Sequence, residues 1–365
     1  MELTVIRPAQ DAGREQRLEA VLGYALDKIP SVCSIQTAEE LAEAARQGAL
    51  RNRRILFAAA LGSTGINLAL YAMLEVLRTH PDCLRGSVAG ILMDAEGEFY
   101  TKSLGREIAQ TANEAGCWFV GRPLTEGTGS LRNYRVAASN HGCSLYEAYL
   151  WSAGDLVRRI LSFQKPAWKQ PKLLCLHSCN PSTSNTLQLW AEVKKHLSGR
   201  MEIREISLRD GAVTDCAGCS YETCMYFSRN SSCFYGGPIV EEVYPALQDC
   251  NGLILLCPNY NDALGANLTA FVNRLTSLFR KKPFADKYLF ALIVSGYSGG
   301  DILARQLIGG LNMNKSFILP PGFALMETAD RPGSIMKIPD ICQKAGEFAA
   351  GIRSCMQDTN YKNSK

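Results

Sequence analysis

The sequence has no run of the roughly 18 apolar residues that a membrane-crossing helix needs. No apolar leader follows Met1 either: "MELTVIRPAQDAGREQ" is polar and predicts no export signal. An excess of one charge sign is also missing. Lys and Arg number 39 against 35 Asp and Glu, the net charge is +4, and no basic stripe offers nucleic acid a footprint. Histidine is scarce. His80, His141, His177 and His196 are the four, and none has a partner that would suggest a Ser/His/Asp set. These absences predict a cytoplasmic protein with neither a membrane nor a nucleic-acid partner. What the chain has in plenty is cysteine, 14 residues, expected as reduced thiols in the absence of an export signal. Ten are scattered, several in apolar runs, such as Cys175 in "KLLCLHS" and Cys257 in "LILLCPN", and read as small buried hydrophobes. The other four crowd into "CAGCSYETCMYFSRNSSC", Cys216 to Cys233.

A chain of 365 residues is more readily two domains than one. Helical patterns open it at about 11–28 and 38–48, the second capped by Thr37 ahead of two glutamates. "RRILFAAALGSTGINLALYAMLEVL" then reads as strand, small polar loop and amphipathic helix, and the plan returns at 171–197, 250–275 and 287–307. Such alternation predicts an α/β protein of two tandem doubly wound parallel-sheet units, with ligands at the carboxyl ends of the strands. "YTKSLGREIAQTAN" (100–113) can be laid without gaps on "YNDALGANLTAFVN" (260–273), and 56–67 parallels 173–185. This suggests related units at about 50–160 and 170–335, joined by "FQKPAWKQPK" (163–172). The expected domains are 1–162, with a helical lead-in, and 172–355.

Three loops carry the chemistry. "HSCNPSTSNT" (177–186) follows an apolar strand and opens a helix, so hydroxyls and helix-terminal N–H groups face an anion. It has no Lys and is not Gly-rich, which excludes a Walker loop and suits a single terminal phosphate. "PNYNDALG" (258–265) offers amides and one aromatic face, and "SGYSGGD" (295–301) lets backbone approach a planar ring closely. Each is also a plain turn or cap; three at the strand ends of one unit reinforce each other.

With these motifs, residues 172–335 resemble the flavodoxin-like, NAD(P)H-dependent FMN reductase family. The resemblance implies a flavodoxin-like fold and FMN, reduced by NADPH or NADH. By position, Ser178, Asn180, Ser182, Ser184, Asn185 and Thr186 would hold the FMN phosphate. Pro258, Asn259, Tyr260 and Asn261 would flank the ring, and Ser295, Gly296, Tyr297, Gly299 and Gly300 would close its other side. An Arg common in the family's phosphate loop is absent, Asn180 stands near its place, and the loop is one residue longer. No side chain is assigned as acid or base, because hydride transfer is the cofactor's chemistry. The acceptor would be a small molecule or a redox protein. Relatives dimerise with the flavin near the interface, which implies a homo-oligomer or an intramolecular pseudo-dimer.

The iron–sulfur flavoprotein branch of these relatives ligates a [4Fe–4S] cluster with four cysteines in this loop. Here Cys216, Cys219, Cys224 and Cys233 are spaced C-x2-C-x4-C-x8-C, and the resemblance makes them an electron port for the flavin. A four-thiolate zinc site, a Cys216–Cys219 dithiol and free structural thiols stay open as alternatives. The first unit has a short "GSTGIN" loop and the acidic "DAEGEFY" (94–100), which would repel a phosphate; it reads as a copy that has lost its flavin. "GRPLTEGTGSLRNY" (121–134), with Arg122 and Arg132, reads as a structured surface loop, an anion contact or a contact with the other unit. Two rival functions remain: a non-catalytic electron carrier served by ferredoxin, and a cofactor-free interaction protein.

Overall fold

The computed structural model describes residues 2–8, 15–209 and 213–358, and the chain divides into two compact units, Met1–Gln164 and Lys165–Lys365. In the first, β1 (Glu2–Ile6), α1 (Gln16–Leu26), β2 (Ser31–Ile35), α2 (Ala38–Arg46), β3 (Arg54–Leu61), α3 (Leu68–Thr79), β4 (Val88–Ala95), α4 (Thr101–Glu114) and β5 (Trp118–Gly127) alternate; α5 (Arg135–His141) and α6 (Leu145–Ser162) follow. The second runs β6 (Lys172–His177), α7 (Asn185–Leu197), β7 (Glu202–Ser207), α8 (Tyr221–Arg229) and a π-helical turn (Ile239–Val243) that leads into α9 (Tyr244–Asp249). It continues with β8 (Gly252–Pro258), α10 (Ala266–Lys281), β9 (Tyr288–Ser295), α11 (Gly300–Leu307), β10 (Ala324–Thr328) and α12 (Ile341–Met356).

Every strand pairing is parallel. The first sheet is ordered β2-β1-β3-β4-β5 and the second β7-β6-β8-β9-β10, so both units are flavodoxin-like and share one topology. The order reverses beside β1 and β6, where a ligand crevice opens in such sheets. Strands β3, β8 and β9 are buried almost throughout, as expected for runs such as "LILLC" covered by helices on both faces. The edges β2 ("SVCSI") and β7 ("EIREIS") are largely exposed and mix polar with apolar side chains. Helix starts are set by side chains: Thr37 with Glu40 and Ser144 with Glu147 form capping boxes, and Asn67 and Ser184 cap α3 and α7. Among the described residues no helix is long and apolar enough to cross a membrane.

Three expectations need correction. The helical lead-in holds the strands β1 and β2, so the first unit's sheet begins at its start. Their five-residue length, and the outward side chains of β2, leave no apolar run to read. The helical patterns fall on α1 and α2, with residues 9–14 outside the described set. The internal repeat is out of step with the topology. Residues 56–67 begin inside β3, the third strand of its unit, whereas 173–185 begin inside β6, the first. Likewise 100–113 lies on α4, after a fourth strand, while 260–273 enters α10, after a third. Each βα step buries the same pattern, so one resembles any other. Finally, residues 121–127 continue β5, which shifts register opposite Ala89 and Ile91; the expected surface loop begins only after Gly127.

Candidate functional site

Hydrogen bonds tie four loops together at the carboxyl edge of the second sheet. Asn259, just after β8, donates through Nδ2 to Ser295 Oγ at 3.1 Å, to the Ser298 carbonyl at 3.0 Å and to Asp262 Oδ1 at 3.2 Å. Its Oδ1 accepts from the Asp262 N–H at 2.9 Å. Asn185, at the start of α7, donates to the carbonyls of Ala329 (3.1 Å) and Arg331 (2.8 Å) and accepts from the Gly333 N–H at 2.8 Å. The Ala329 N–H in turn donates to the Ser295 carbonyl at 2.8 Å. The 178–184 loop comes close as well, because a Cβ on Gly265 would lie 3.2 Å from Ser178 Oγ. Loops after β6, β8, β9 and β10 therefore form one rim. The fourth, 329–333, was missed from the sequence, where only the Pro332-Gly333 turn pair marks it.

Within this rim the residues expected to touch a ligand divide in two. Asn185 and Asn259 spend their amides on neighbouring loops, so they position rather than present donors. Ser295 is buried and accepts from Asn259. Gly299 has φ +84°, and a Cβ there would meet Asp262 Oδ1 at 2.2 Å, so the loop contact requires glycine. Asn180 folds its own loop: its Oδ1 accepts from the Ser182 N–H (3.1 Å) and hydroxyl (2.9 Å). Ser184 Oγ accepts from the Leu187 N–H at 3.2 Å as the cap of α7, and Thr186 is buried. Open to a ligand are Ser178, half-buried, Gly296, which faces empty space, and the rings of Tyr260 and Tyr297, 53% and 85% exposed. Pro258 ends β8, Asn261 holds a left-handed φ of +54°, and Gly300 opens α11.

Beneath the 178–184 loop lies His177, buried at the end of β6. Its Nδ1 accepts from the Cys179 N–H at 3.3 Å, which leaves the proton on Nε2, 3.5 Å from Glu205 Oε1. Glu205 also accepts from Trp190 Nε1 at 2.9 Å and Lys194 Nζ at 3.0 Å. Burial pushes the His177 pKa below its ordinary value; Glu205 opposes the shift and the Lys194 charge adds to it. A depressed histidine contributes stability that is present above the unfolded value of about 6.5 and lost as pH falls through the folded one. His177→Asn supplies a carbonyl oxygen for the Cys179 N–H and does not titrate. Its melting temperature should fall less steeply than wild type below about pH 6.5; parallel melting curves would show that His177 does not anchor the loop.

The cysteine-rich stretch is not an extended loop. Ser220 caps α8 by accepting the Thr223 N–H at 3.2 Å, so Cys224 sits on a helix and Cys233 follows its end. All four thiols, Cys216, Cys219, Cys224 and Cys233, line one cavity of about 210 Å³, together with Arg274 of α10. Among the described residues no group of three or more His, Cys, Asp or Glu is gathered to hold a single metal ion. The tetrahedral zinc cage, with every sulfur about 2.3 Å from one ion, is therefore not formed. No disulfide joins Cys216 to Cys219 either, since all fourteen cysteines are free. Arg274 lies eight residues past Ala266, about 12 Å along α10.

In the first unit, carboxylates take the donors at the strand ends. Glu96 accepts from the Ser63 N–H at 2.9 Å, and Glu98 from the Ser130 N–H at 2.7 Å. Asp94, buried at the end of β4, accepts from Arg17 Nε at 2.8 Å and from the Tyr149 hydroxyl at 3.1 Å. Arg122 and Arg132 are exposed.

A doubly wound parallel sheet with a hydrogen-bonded rim of loops at its carboxyl edge is a flavodoxin-type fold. Residues 171–330 match the profile of the family described as NADPH-dependent FMN reductase, a family of oxidoreductases. Similar solved structures include an NADH:FMN oxidoreductase in its apo form, 18% identical over 52% of this chain and 93% of its own, TM-score 0.37. An NAD(P)H:quinone oxidoreductase from Methanothermobacter marburgensis is 13% identical over 50% and 96%, TM-score 0.37. An FMN-dependent NADH-azoreductase from Bacillus anthracis is 11% identical over 50% and 100%, TM-score 0.33. No curated protein matches the chain.

Proposed function

We propose that the second unit binds one FMN at the rim, takes hydride from NADPH or NADH, and passes electrons to a small-molecule or protein acceptor through a [4Fe–4S] cluster at the four cysteines. The observation that carries the flavin reading is the union of four loops by Asn185 and Asn259, which builds one site from segments remote in sequence. In it the Ser178 hydroxyl and the first turn of α7 hold the phosphate; the outward N–H groups of that turn have no partner within the helix. Asn180 and Ser182 shape the loop, and Ser184 and Thr186 start the helix. Tyr260 and Tyr297 cover the ring, with Gly296 leaving room for it. FMN supplies hydride acceptance and single-electron release.

Support for the cluster is separate. Four thiols surround one cavity, and a buried arginine in its wall has an unpartnered Nε. A cubane takes one thiolate per iron, which spreads its ligands wider than a single ion allows. The carboxylates at the first unit's strand ends support one flavin per chain rather than two.

Titrating FMN into apoprotein should quench its fluorescence with a stoichiometry of one. Under argon, NADPH or NADH should then bleach the bound flavin within the mixing time of a cuvette. Absence of quenching would overturn the proposal, and bleaching by reduced ferredoxin alone would replace the reductase with a carrier.

A further inference from the structure

The cysteine-rich stretch is pinned along α10 at several points. Asn273 Nδ2 donates to Asp215 Oδ1 at 3.0 Å, and the same oxygen accepts the Cys216 N–H at 2.6 Å. Ser228 Oγ, on α8, donates to the Ser277 carbonyl at 2.6 Å. Lys281 Nζ donates to Ser231 Oγ at 2.9 Å. Each of these holds one point. Arg274 reaches both ends of the stretch at once. Nη1 donates to the Thr214 carbonyl at 3.1 Å, just before Cys216, and Nη2 to the Gly236 carbonyl at 2.5 Å, just after Cys233.

This is an unfavourable place for a charge. Arg274 is 2% exposed, lines the thiol cavity, and forms no ion pair with a carboxylate among the described residues. A buried charge without an opposite charge is disfavoured, so stability alone does not account for it. Geometry does. A guanidinium is a rigid planar fork with N–H donors in fixed directions, and it can set two carbonyls at a fixed separation. A lysine brings one nitrogen and a glutamine one amide. The arginine is itself held in place: its guanidinium lies 5.9 Å from the Tyr235 ring, and its backbone carbonyl accepts from the buried Tyr244 hydroxyl at 2.6 Å. Closing a loop costs entropy that grows with its length, and a tie across the two ends holds it closed. The turn between Cys216 and Cys219 needs no such tie, because Gly218 makes it locally with φ +76°.

We propose that Arg274 is a positioning residue that ties Thr214 to Gly236 and so brings Cys216 and Cys219 across one cavity from Cys233. This deepens the cluster reading above and rests on it for the occupant; the convergence of the thiols is tested without one.

The test uses the full chain, reduced and metal-free, treated with the bifunctional thiol reagent dibromobimane. Mass spectrometry then maps which sulfurs are bridged. Wild type should show two kinds of bridge, the local Cys216–Cys219 and the long-range one from either of these to Cys233. In Arg274→Gln and Arg274→Met the long-range bridge should fall about tenfold relative to the local one, the equivalent of one lost charge-assisted hydrogen bond. Arg274→Lys keeps the charge without the fork and should fall as well. The Gln variant keeps an amide for one carbonyl, so it serves if the Met variant does not fold. General loosening of the protein would lower both bridges together, and an unchanged ratio in the Gln variant would overturn the proposal. A Lys variant that bridges like wild type would assign the effect to charge and overturn it too, as would wild type without the long-range bridge. A second arm adds ferrous iron and sulfide under argon and measures bound iron. If wild type retains none while the bridging ratio falls in the variants, the cluster reading fails and the tie stands. If wild type loads iron and the ratio does not change, the cluster reading stands and the role of Arg274 fails.

Discussion

Cys219→Ser is expected to remove iron and sulfide together from the anaerobically reconstituted protein while leaving FMN in place. Cys219 lines the cavity with the other three thiols, its Sγ 3.8 Å from the Tyr235 hydroxyl. A serine oxygen is a harder and far less acidic ligand than a thiolate, so a four-iron cluster would lose a corner. The rim proposed for the flavin draws nothing from 216–233: its hydrogen bonds run among 185, 259–262, 295–299 and 329–333. Iron and acid-labile sulfide assays, read beside the flavin absorbance, check this. A variant that keeps wild-type iron would show that the metal is held elsewhere. Simultaneous loss of FMN would show that the cavity and the rim are not independent.

Asn259→Ala should weaken FMN binding by about 30-fold or more. The side chain makes four hydrogen bonds: two fasten the 259–262 turn to the 295–299 loop, and two to Asp262 close the turn itself. At about 0.5–1.5 kcal/mol each, their loss exceeds 2 kcal/mol, and 1.4 kcal/mol is a factor of ten in affinity. Most of that loss should appear as disorder of the two segments that bear Tyr260 and Tyr297, so binding should suffer more than melting temperature. Fluorescence titration with FMN measures it. An unchanged affinity would mean that the ring sits elsewhere.

Which parts of this architecture could be read from the chain follows from how local each cause is. Strands β3, β8 and β9 were legible because the interior of a parallel sheet demands unbroken apolar runs. The edges β2 and β7 need no such run. The 178–184 and 295–300 loops announced themselves through Ser, Asn and Gly, since turn and cap chemistry is local. Asn185 and Asn259 were visible as polar residues at the right place, but their role was not. Asn185 meets partners 144 to 148 positions away, and no window of sequence contains both ends. Arg274 was passed over as one more charge on an amphipathic helix. The available signal was its position: it falls on the stripe of Phe271, Leu275 and Leu278 that α10 buries, where an arginine has to be answered by something.

The carboxylates at the strand ends of the first unit have a consequence for competition. Glu96 and Glu98 are built-in guests, tethered within a loop's length of the Ser63 and Ser130 N–H groups they occupy. A tethered group acts at an effective concentration in the millimolar range or above. A free anion at micromolar concentration would lose that contest even if its intrinsic attraction to the same donors were equal. Shortening either side chain to alanine would evict the guest and leave the N–H groups to water or to whatever solute is offered, which makes this unit a place where a ligand could be designed in.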